Sequence, residues 1–460
     1  MGAMGERMVI IGADATGMSA ASQARRLRAA DELEIIVFDK GNHTSYSACG
    51  IPYWVSGDVA DADDLIARSP AEHRARDIDL RLRTEVTDID VARRRVLARD
   101  LDTDERTWTT YDKLVLATGA TPIRPPLPGI DAEGVYGVQT LDDGQALIDG
   151  LAATTGREAV VIGAGYIGVE MAEALVRRGF RVTMVTRAAE PMSTLDSDMG
   201  ALVRKAMVGM DIRLITGAEV TGIRTGADGR VQAVSTADAE YPADVVVLGI
   251  GVRPTTELAR RAGLPVGESG GLLTDLAQRV HGYDDIWAGG DCVEVLDLVA
   301  GALRHIPLGT HANKHGQIIG TGVGGGYATF PGVVGTAISK VCDLEVARTG
   351  LGEADALRAG LQFHAVTIES TGRAGYFPGA APMTVKMLAE RRTGRLLGVQ
   401  IVGRDGAAKR IDVAAVALTA RMTVEQMTAL DLGYAPPFSP VWDPILVAAR
   451  AAAKAVARGH

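Results

Sequence analysis

Residues 159–168 read AVVIGAGYIG, and this stretch decides the fold. Four apolar residues predict a buried strand, and Gly163, Gly165 and Gly168 follow with the spacing G-x-G-x-x-G before a helical pattern. In such a turn the first glycine permits the tight bend, the second lets backbone amides approach a pyrophosphate, and the third lets the helix pack against the strand. The stretch therefore predicts a βαβ unit with a dinucleotide site rather than a plain tight turn.

The second strand of this unit ends at Thr186, and Arg187 follows it. A carboxylate is expected at this place when the bound ribose has a free 2′-hydroxyl, whereas a cation beside a neutral residue suits a 2′-phosphate. The pattern favours NADPH. NADH remains the alternative if Arg187 is only a surface arginine.

A less regular unit opens the chain, where residues 8–17 read MVIIGADATG. Gly12 and Gly17 stand at the outer glycine positions, but Asp14 replaces the middle glycine. A carboxylate there repels a pyrophosphate unless it turns away or meets a cation. Asp39 ends the next strand, and its carboxylate could accept both hydroxyls of an adenosine ribose. Two such units about 150 residues apart predict two nucleotide sites.

The composition of the 460 residues limits the possible classes of protein. The length predicts two or three domains, and 55 glycines with few aromatic residues are typical of α/β proteins. A net charge of −9 without a basic block argues against a nucleic-acid partner. The N-terminal apolar run is too short for a signal peptide and no stretch is long enough to span a membrane, so we expect a soluble cytoplasmic protein. Three separated cysteines exclude a disulfide scaffold and a zinc site, and no metal is expected.

The rest of the pattern predicts how the domains follow one another. Tyr111–Ala117 predicts another buried strand, and the Pro-rich stretch at residues 125–128 marks a crossing between domains. After about Phe330 the pattern changes to alternating strands, of which Val333–Ser339 is the first, and then to helices. This last part is predicted to be a separate α+β domain.

Residues 45–53 read SYSACGIPY, a string that resembles the single-cysteine branch of the pyridine nucleotide-disulfide oxidoreductases. Within that family the chain is most similar to the coenzyme A-disulfide reductases, and it resembles the NADH oxidases and peroxidases less closely. The resemblance covers nearly the whole chain through the further strings LATGATP at 116–122, GIGVRP at 249–254, AGGD at 288–291, GTAISKVCDLEVARTGL at 335–351, KRID at 409–412 and YAPPFS at 434–439.

The resemblance implies an α/β fold with two Rossmann-like dinucleotide-binding domains, as in glutathione reductase, and a C-terminal α+β dimerisation domain. The implied domains are a discontinuous FAD-binding domain at 1–122 and 245–330, an NAD(P)H-binding domain at 123–244 and a dimerisation domain at 331–460.

The resemblance also implies a role for each cofactor-binding position. FAD would lie on Gly12 and Gly17, with Asp39 on its adenosine ribose and Asp291 on its ribityl chain. Alone, Asp291 would be interpreted as a turn or N-cap aspartate. Tyr166 resembles the tyrosine that covers the flavin where the nicotinamide docks. The remaining implied cofactor contacts are Thr118, Gly119, Gly163, Gly165, Gly168, Glu170 and Arg187.

Cys49 would be the redox-active cysteine on the opposite side of the flavin, whereas Cys292 and Cys342 are expected to be structural. We expect a lowered pKa for Cys49, because a nearby helix start and an electron-poor ring favour the reactive thiolate. The resemblance further implies a homodimer with shared active sites. In it Tyr434 and Tyr376 of one subunit would reach the other subunit's site and protonate a leaving thiolate. Interface packing is the alternative for both tyrosines.

The sequence of the first glycine loop narrows the choice of electron acceptor. The oxidases and peroxidases usually carry a histidine where this chain has Ala15, so the resemblance favours a low-molecular-weight disulfide such as coenzyme A disulfide. Ala48 stands where the reductases usually have asparagine, which leaves other disulfides and persulfides open. The positions that match coenzyme A contacts in the family are Ser19, Gln23, Arg26, Ser45 and Arg68.

Three other functions stay open. The first is an NAD(P)H oxidase in which oxygen is the acceptor and Cys49 cycles through sulfenic acid. The second is a flavin-bound redox sensor with negligible turnover. The third is a protein that binds no flavin because of Asp14.

Overall fold

The computed structural model describes residues 5–459. Residues 1–4, which belong to the N-terminal stretch considered above as a possible signal peptide, lie outside it. Three five-stranded sheets form the framework, two of them parallel and one antiparallel. This framework positions two glycine-rich loops and the segment around Cys49.

The first sheet is parallel, and the apolar runs of its central strands are buried. Its strands lie in the order Ile286–Ala288, Lys113–Leu116, Glu6–Ile11, Leu33–Phe38 and Asp79–Arg81. Helices Ala15–Leu27 and Gly309–Val323 cross closely, and a Cβ built at Gly320 would lie 2.5 Å from the Ala20 carbonyl oxygen. The small side chains at this crossing hold the two helices together.

The second sheet repeats this design. Its strands lie in the order Arg213–Thr216, Arg181–Thr186, Glu158–Ile162, Val245–Leu248 and Val135–Gly137. Its helices are Leu141–Ala153, Tyr166–Arg177 and Ser197–Gly209. Val245–Leu248 belongs to this sheet, so the unit extends beyond the boundary expected at residue 244. The run VVVL is apolar on both faces, and apolarity alone does not decide which of two parallel sheets a strand joins.

Each parallel sheet is interrupted along the chain by a three-stranded antiparallel sheet. One contains Thr84–Asp90, Arg95–Asp100 and Arg106–Thr110, and the other contains Val220–Thr225, Val231–Thr236 and Glu240–Pro242. The chain crosses between the two units in strands Ala120–Pro122 and Val252–Pro254, which pair antiparallel. The outward and return crossings therefore lie side by side.

The third sheet is antiparallel. Its strands lie in the order Ala337–Val341, Leu344–Gly350, Leu396–Gly403, Pro382–Glu390 and Phe363–Thr371. Its helices are Glu353–Arg358, Ile411–Thr419, Val424–Met427 and Pro444–Arg458. The strand predicted at Val333–Ser339 was placed too early. Gly335 has a φ of +64°, which breaks an extended run, and Val333 forms only an isolated bridge to Asp297.

Short elements complete the fold. They are the hairpin Val295–Asp297 and Ala302–Arg304, the helices Ile51–Ser56, Pro70–Arg74 and Glu257–Arg261, and the 3-10 turns Ala48–Gly50, Ala62–Leu65, Gly290–Cys292 and Ala408–Arg410.

Candidate active site

The first glycine loop, residues 12–17, joins the central strand of the first sheet to helix Ala15–Leu27. Gly12 has a φ of +108°, and a Cβ there would lie 2.1 Å from the Ala117 carbonyl oxygen. A Cβ at Gly17 would lie 1.9 Å from the Gly12 carbonyl oxygen. The fold itself therefore requires both glycines, and their presence holds the helix start against the strand end.

The Asp14 carboxylate accepts a hydrogen bond from the backbone N–H of Tyr46, with 3.3 Å between the nitrogen and Oδ1. Burial raises the pKa of Asp14 to about 7, and the charges of Asp39 and Asp291 add to the rise. The Asp39 carboxylate accepts the backbone N–H of Ala13 over 2.7 Å. With this raised pKa the Asp14 carboxyl is partly protonated near neutral pH, and its neutral form does not repel a pyrophosphate.

Three further predicted cofactor positions lie near the carboxyl end of the first sheet. The Thr118 hydroxyl donates to the Thr255 carbonyl oxygen over 2.6 Å. At Gly119, with a φ of +66°, a Cβ would meet nothing within 4 Å. Burial raises the pKa of Asp291, and its carboxylate accepts no hydrogen bond from any residue in the range 5–459. An open backbone turn and an unpaired, partly buried carboxylate fit the hydroxyl groups of a flavin nucleotide.

The second glycine loop, residues 163–168, has the same geometry. Gly163 has a φ of +99°, and a Cβ at Gly168 would lie 2.1 Å from the Gly163 carbonyl oxygen. A Cβ at Gly165 would have the Gly249 carbonyl oxygen, 3.9 Å away, as its only neighbour. Gly165 precedes the first turn of helix Tyr166–Arg177, so open space lies in front of the amides at this helix start.

Arg187 lies at the carboxyl end of the second strand of this unit, with its side chain 81% exposed. Its closest charged neighbour is Glu219, at 3.8 Å, and that side chain is also exposed. Thr186 beside it is buried. The Arg187 side chain is thus accessible to a ligand at the carboxyl end of this strand.

Tyr166 and Glu170 lie one turn apart on helix Tyr166–Arg177. The Tyr166 phenol oxygen accepts a hydrogen bond from the Thr194 hydroxyl over 3.3 Å. Glu170 accepts the hydroxyl of Ser339, from the third sheet, over 2.8 Å. Burial raises the pKa of both side chains. Sequence reasoning did not single out Thr194 or Ser339, because neither belongs to a recognisable motif.

Cys49 lies in the 3-10 turn Ala48–Gly50 and its side chain is exposed. The expected lowering of its pKa is not found in the chain alone. Partial burial raises the pKa of the thiol, and the negative charges of Glu170, Asp291 and Asp14 raise it further. Helix Ile51–Ser56 is too short to offset three carboxylates. Cys49 therefore lies close enough to Glu170, in the second unit, and to Asp291, in the first unit, for both charges to raise its pKa.

Three of the five residues matched to coenzyme A contacts, Ser19, Gln23 and Arg26, lie on helix Ala15–Leu27, and Arg68 approaches the same helix. The Arg68 guanidinium lies 3.5 Å from the Ser22 hydroxyl, and Arg26 donates to the Gln23 amide oxygen over 2.9 Å. Ser19 bonds Asn313 over 3.0 Å. Ser45 bonds the buried His73 ring over 2.9 Å.

A recess of about 350 Å³ lies beside these residues, and sequence reasoning missed most of its lining. Three arginines face it, and Arg25 is held by its bond to the Asp77 carbonyl oxygen over 2.8 Å. Arginines around a recess form an anion-binding environment. The lining residues are Ser22, Arg25, Arg26, Arg76, Asp77 and Ile78.

Tyr376 and Tyr434 project from the third unit, with 78% and 50% of their surface exposed. Loss of hydration raises the pKa of Tyr434, and a hydrogen bond with the nearby Tyr376 phenol raises it further. No hydrogen bond in the described chain joins either phenol to Cys49 or Glu170. Other large apolar side chains are exposed on the same unit: Val416, Phe438, Val441 and Trp442.

No group of acidic, histidine or cysteine side chains between residues 5 and 459 has the arrangement of a metal site. Within the same range, none of the helices combines the length and apolarity that crossing a bilayer demands.

Comparisons with known proteins agree with this geometry. Residues 6–312 match the family model described as pyridine nucleotide-disulphide oxidoreductase, and residues 336–444 match the dimerisation domain of the same family. A CoA-dependent NAD(P)H sulfur oxidoreductase from Pyrococcus abyssi is 36% identical, over 96% of this chain and 97% of the relative.

Solved structures show the same fold. An NAD-dependent persulfide reductase from A. fulgidus is 39% identical with a TM-score of 0.94, over 97% of this chain and 83% of that one. An engineered water-forming NADPH oxidase bound to NADPH is 27% identical with a TM-score of 0.93, over 98% and 99% of the two chains. It derives from a Lactobacillus brevis oxidase by five substitutions, among them aspartate to alanine and, at the next residue, alanine to arginine.

Proposed function

The chain belongs to the pyridine nucleotide-disulphide oxidoreductase family and is an NAD(P)H oxidoreductase, and on this premise we propose that it reduces a low-molecular-weight disulfide or persulfide through FAD and Cys49. The observation that carries the proposal is the position of Cys49. Its exposed thiol is the one cysteine of three that solvent reaches, and it lies within the charge fields of Glu170 and Asp291. These carboxylates come from the two nucleotide units, so Cys49 lies where the units meet.

In this proposal the first unit binds FAD and the second binds the nicotinamide nucleotide. Gly12, Gly17, Asp39 and Asp291 would hold the flavin nucleotide, and the bound flavin would carry two electrons from nicotinamide to sulfur. In this proposal the FAD-binding domain comprises 1–122 and 245–330 and the NAD(P)H-binding domain comprises 123–244, with the strand Val245–Leu248 assigned to the second domain because it pairs in that sheet.

The residues of the chain would act on the substrate in two steps. The Cys49 thiolate attacks one sulfur of the disulfide, forms a mixed disulfide and releases the other half as a thiolate. Two electrons then cleave the mixed disulfide and restore Cys49 as the substrate's second thiolate leaves. Tyr434 and Tyr376 of the partner subunit would protonate the leaving thiolates, because in their own subunit both phenols lie in an exposed apolar surface.

NADPH is the proposed reductant. Thr186 and Arg187 have the same chemistry, a small neutral side chain followed by arginine, that two substitutions introduced into the engineered NADPH oxidase. NADH remains the alternative electron donor.

Coenzyme A disulfide is the preferred acceptor. The CoA-dependent relative supports it, and so does the arginine-lined recess beside Ser19, Gln23 and Arg26, which suits a substrate with several phosphates. Three unpaired cysteines fit a reducing compartment, so a cytoplasmic location is part of the proposal.

The test is NADPH consumption by the purified protein under nitrogen with coenzyme A disulfide, other small disulfides, a persulfide or no acceptor. We expect turnover that requires a sulfur acceptor, is lost in Cys49→Ser and is retained in Cys342→Ser. Consumption that begins only when air is admitted would reject the proposal in favour of an oxidase. That second candidate is supported by the similarity to the water-forming NADPH oxidase.

A further inference from the structure

A buried lysine joins the third sheet to the second nucleotide unit. Lys386, on strand Pro382–Glu390, has only 5% of its side chain exposed. Its ammonium nitrogen lies 3.1 Å from Asp196 Oδ2, 2.8 Å from Asp198 Oδ1 and 2.9 Å from Glu353 Oε1. Three carboxylates around one buried cation form a fixed junction, because any separation would leave charges without partners.

Gln400 fixes Asp196 at the same junction. Its amide oxygen accepts the Asp196 backbone N–H over 2.8 Å, and its amide nitrogen donates to Asp196 Oδ2 over 2.8 Å. Asp196 Oδ1 also accepts the backbone N–H of Glu353 over 2.9 Å. Gln400 is 2% exposed, so these bonds are shielded from water. Asp196, the residue before helix Ser197–Gly209, is thereby attached to the core of the third sheet.

The short segment 192–196 connects this junction to the second glycine loop. At one end the backbone N–H of Met192 donates to the Ala164 carbonyl oxygen over 2.7 Å. Met192 and Leu195 are buried, and Met192 has a φ of +57°, which is uncommon for a residue with a side chain. Thr194 lies between these anchors, and its hydroxyl donates to the Tyr166 phenol oxygen over 3.3 Å.

We propose that Thr194, Asp196 and Gln400 are positioning residues that set the resting place of the Tyr166 phenol. The inference rests on the proposed function and on the family resemblance, which implies that Tyr166 covers the place where the nicotinamide docks. The phenol must leave its resting place when the nicotinamide enters, and the bond from Thr194 must then break. The core of the third sheet therefore sets how readily nicotinamide gains access, through Gln400, Asp196 and Thr194.

The test compares two ligands on the protein purified with its flavin. NADP⁺ carries the nicotinamide ring, whereas 2′-phospho-ADP-ribose has the same phosphates and lacks the ring. Calorimetry of Thr194→Val should show NADP⁺ binding about three- to tenfold tighter than in the wild type, as loss of one neutral hydrogen bond predicts, with unchanged binding of the fragment. Thr194→Ser keeps the hydroxyl and should match the wild type.

Gln400→Met keeps the side-chain volume and removes both bonds to Asp196, so it should shift NADP⁺ binding in the same direction. The double variant Thr194→Val with Gln400→Met should show less than the sum of the two effects, since both act on one phenol.

Two results would overturn the inference while leaving the proposed function intact. One is unchanged NADP⁺ binding in Thr194→Val. The other is an equal shift for NADP⁺ and the fragment in Gln400→Met, which is the pattern of a general loss of structure. Failure of the wild type to bind the fragment would instead reject the proposed NADPH site, and this inference with it.

Discussion

The ionisation of Asp14 should make flavin binding depend on pH. Its carboxyl has a pKa raised from 3.8 to about 7 by burial, with Asp39 and Asp291 adding to the rise. The neutral acid accepts a pyrophosphate nearby, whereas the carboxylate repels it. FAD binding should therefore weaken as the pH rises through 7. Asp14→Asn, which keeps an acceptor for the Tyr46 N–H, should abolish this dependence.

The magnitude follows from the pKa. At pH 8.5 the ionised form of a group with a pKa of about 7 outnumbers the neutral form by roughly thirtyfold, and FAD must restore the proton in order to bind. The Kd for FAD should then be up to about thirtyfold larger at pH 8.5 than at pH 5.5. The increase in Kd is smaller if FAD also binds to the protein with Asp14 ionised.

The assay is quenching of flavin fluorescence on titration with flavin-free protein between pH 5.5 and pH 8.5. Asp31→Asn, at an exposed position before strand Leu33–Phe38, is the matched control and should follow the wild type. A flat wild-type profile, or an equal slope in Asp14→Asn, would refute the assignment of the pH dependence to this carboxyl.

Three further changes test other parts of the structure. Arg187→Ala should lower kcat/KM for NADPH about tenfold, which is the low end for a charge-assisted hydrogen bond because the side chain is exposed. The kcat/KM for NADH should not change. Steady-state kinetics with both nucleotides test this, and an equal loss for both would contradict a contact with the 2′-phosphate. Gly320→Val should lower the free energy of unfolding by about 2 kcal/mol, because its Cβ would lie 2.5 Å from the rigid Ala20 carbonyl oxygen; an unchanged melting temperature would show that the two helices can separate. Lys386→Met should lower the free energy of unfolding by about 3 kcal/mol, because it leaves the buried Asp196 carboxylate without its cation. It should also speed hydrogen exchange in residues 192–209, and wild-type exchange there would contradict the junction.

Much of the architecture could be predicted because local patterns specify it. An apolar run, a glycine turn and a helical pattern define each parallel unit, and the glycines at positions 12 and 163 both have the positive φ that such a turn needs. The carboxyl ends of parallel strands lie at one sheet edge, so the predicted cofactor residues of each unit must lie near one another.

The parts that could not be predicted depend on distant partners. Thr194 gains its role from the fold of segment 192–196, and Arg76 reaches the recess because a turn brings it beside Arg25. The pKa of Cys49 depends on carboxylates from three separate segments, which no local string reveals. Nothing near residue 49 in the sequence indicates that Glu170 acts on the thiol.

The antiparallel pairing of Ala120–Pro122 with Val252–Pro254 has a consequence for engineering. Paired strands lie roughly 5 Å apart, so the ends of the inserted segment 123–251 are already adjacent. A homologous segment of the same fold could replace it through two neighbouring joins without stretching the host chain. The segment is in this sense an exchangeable cassette, and a donor would have to reproduce its contacts with the rest of the chain, among them the junction of Lys386 and Gln400 with Asp196.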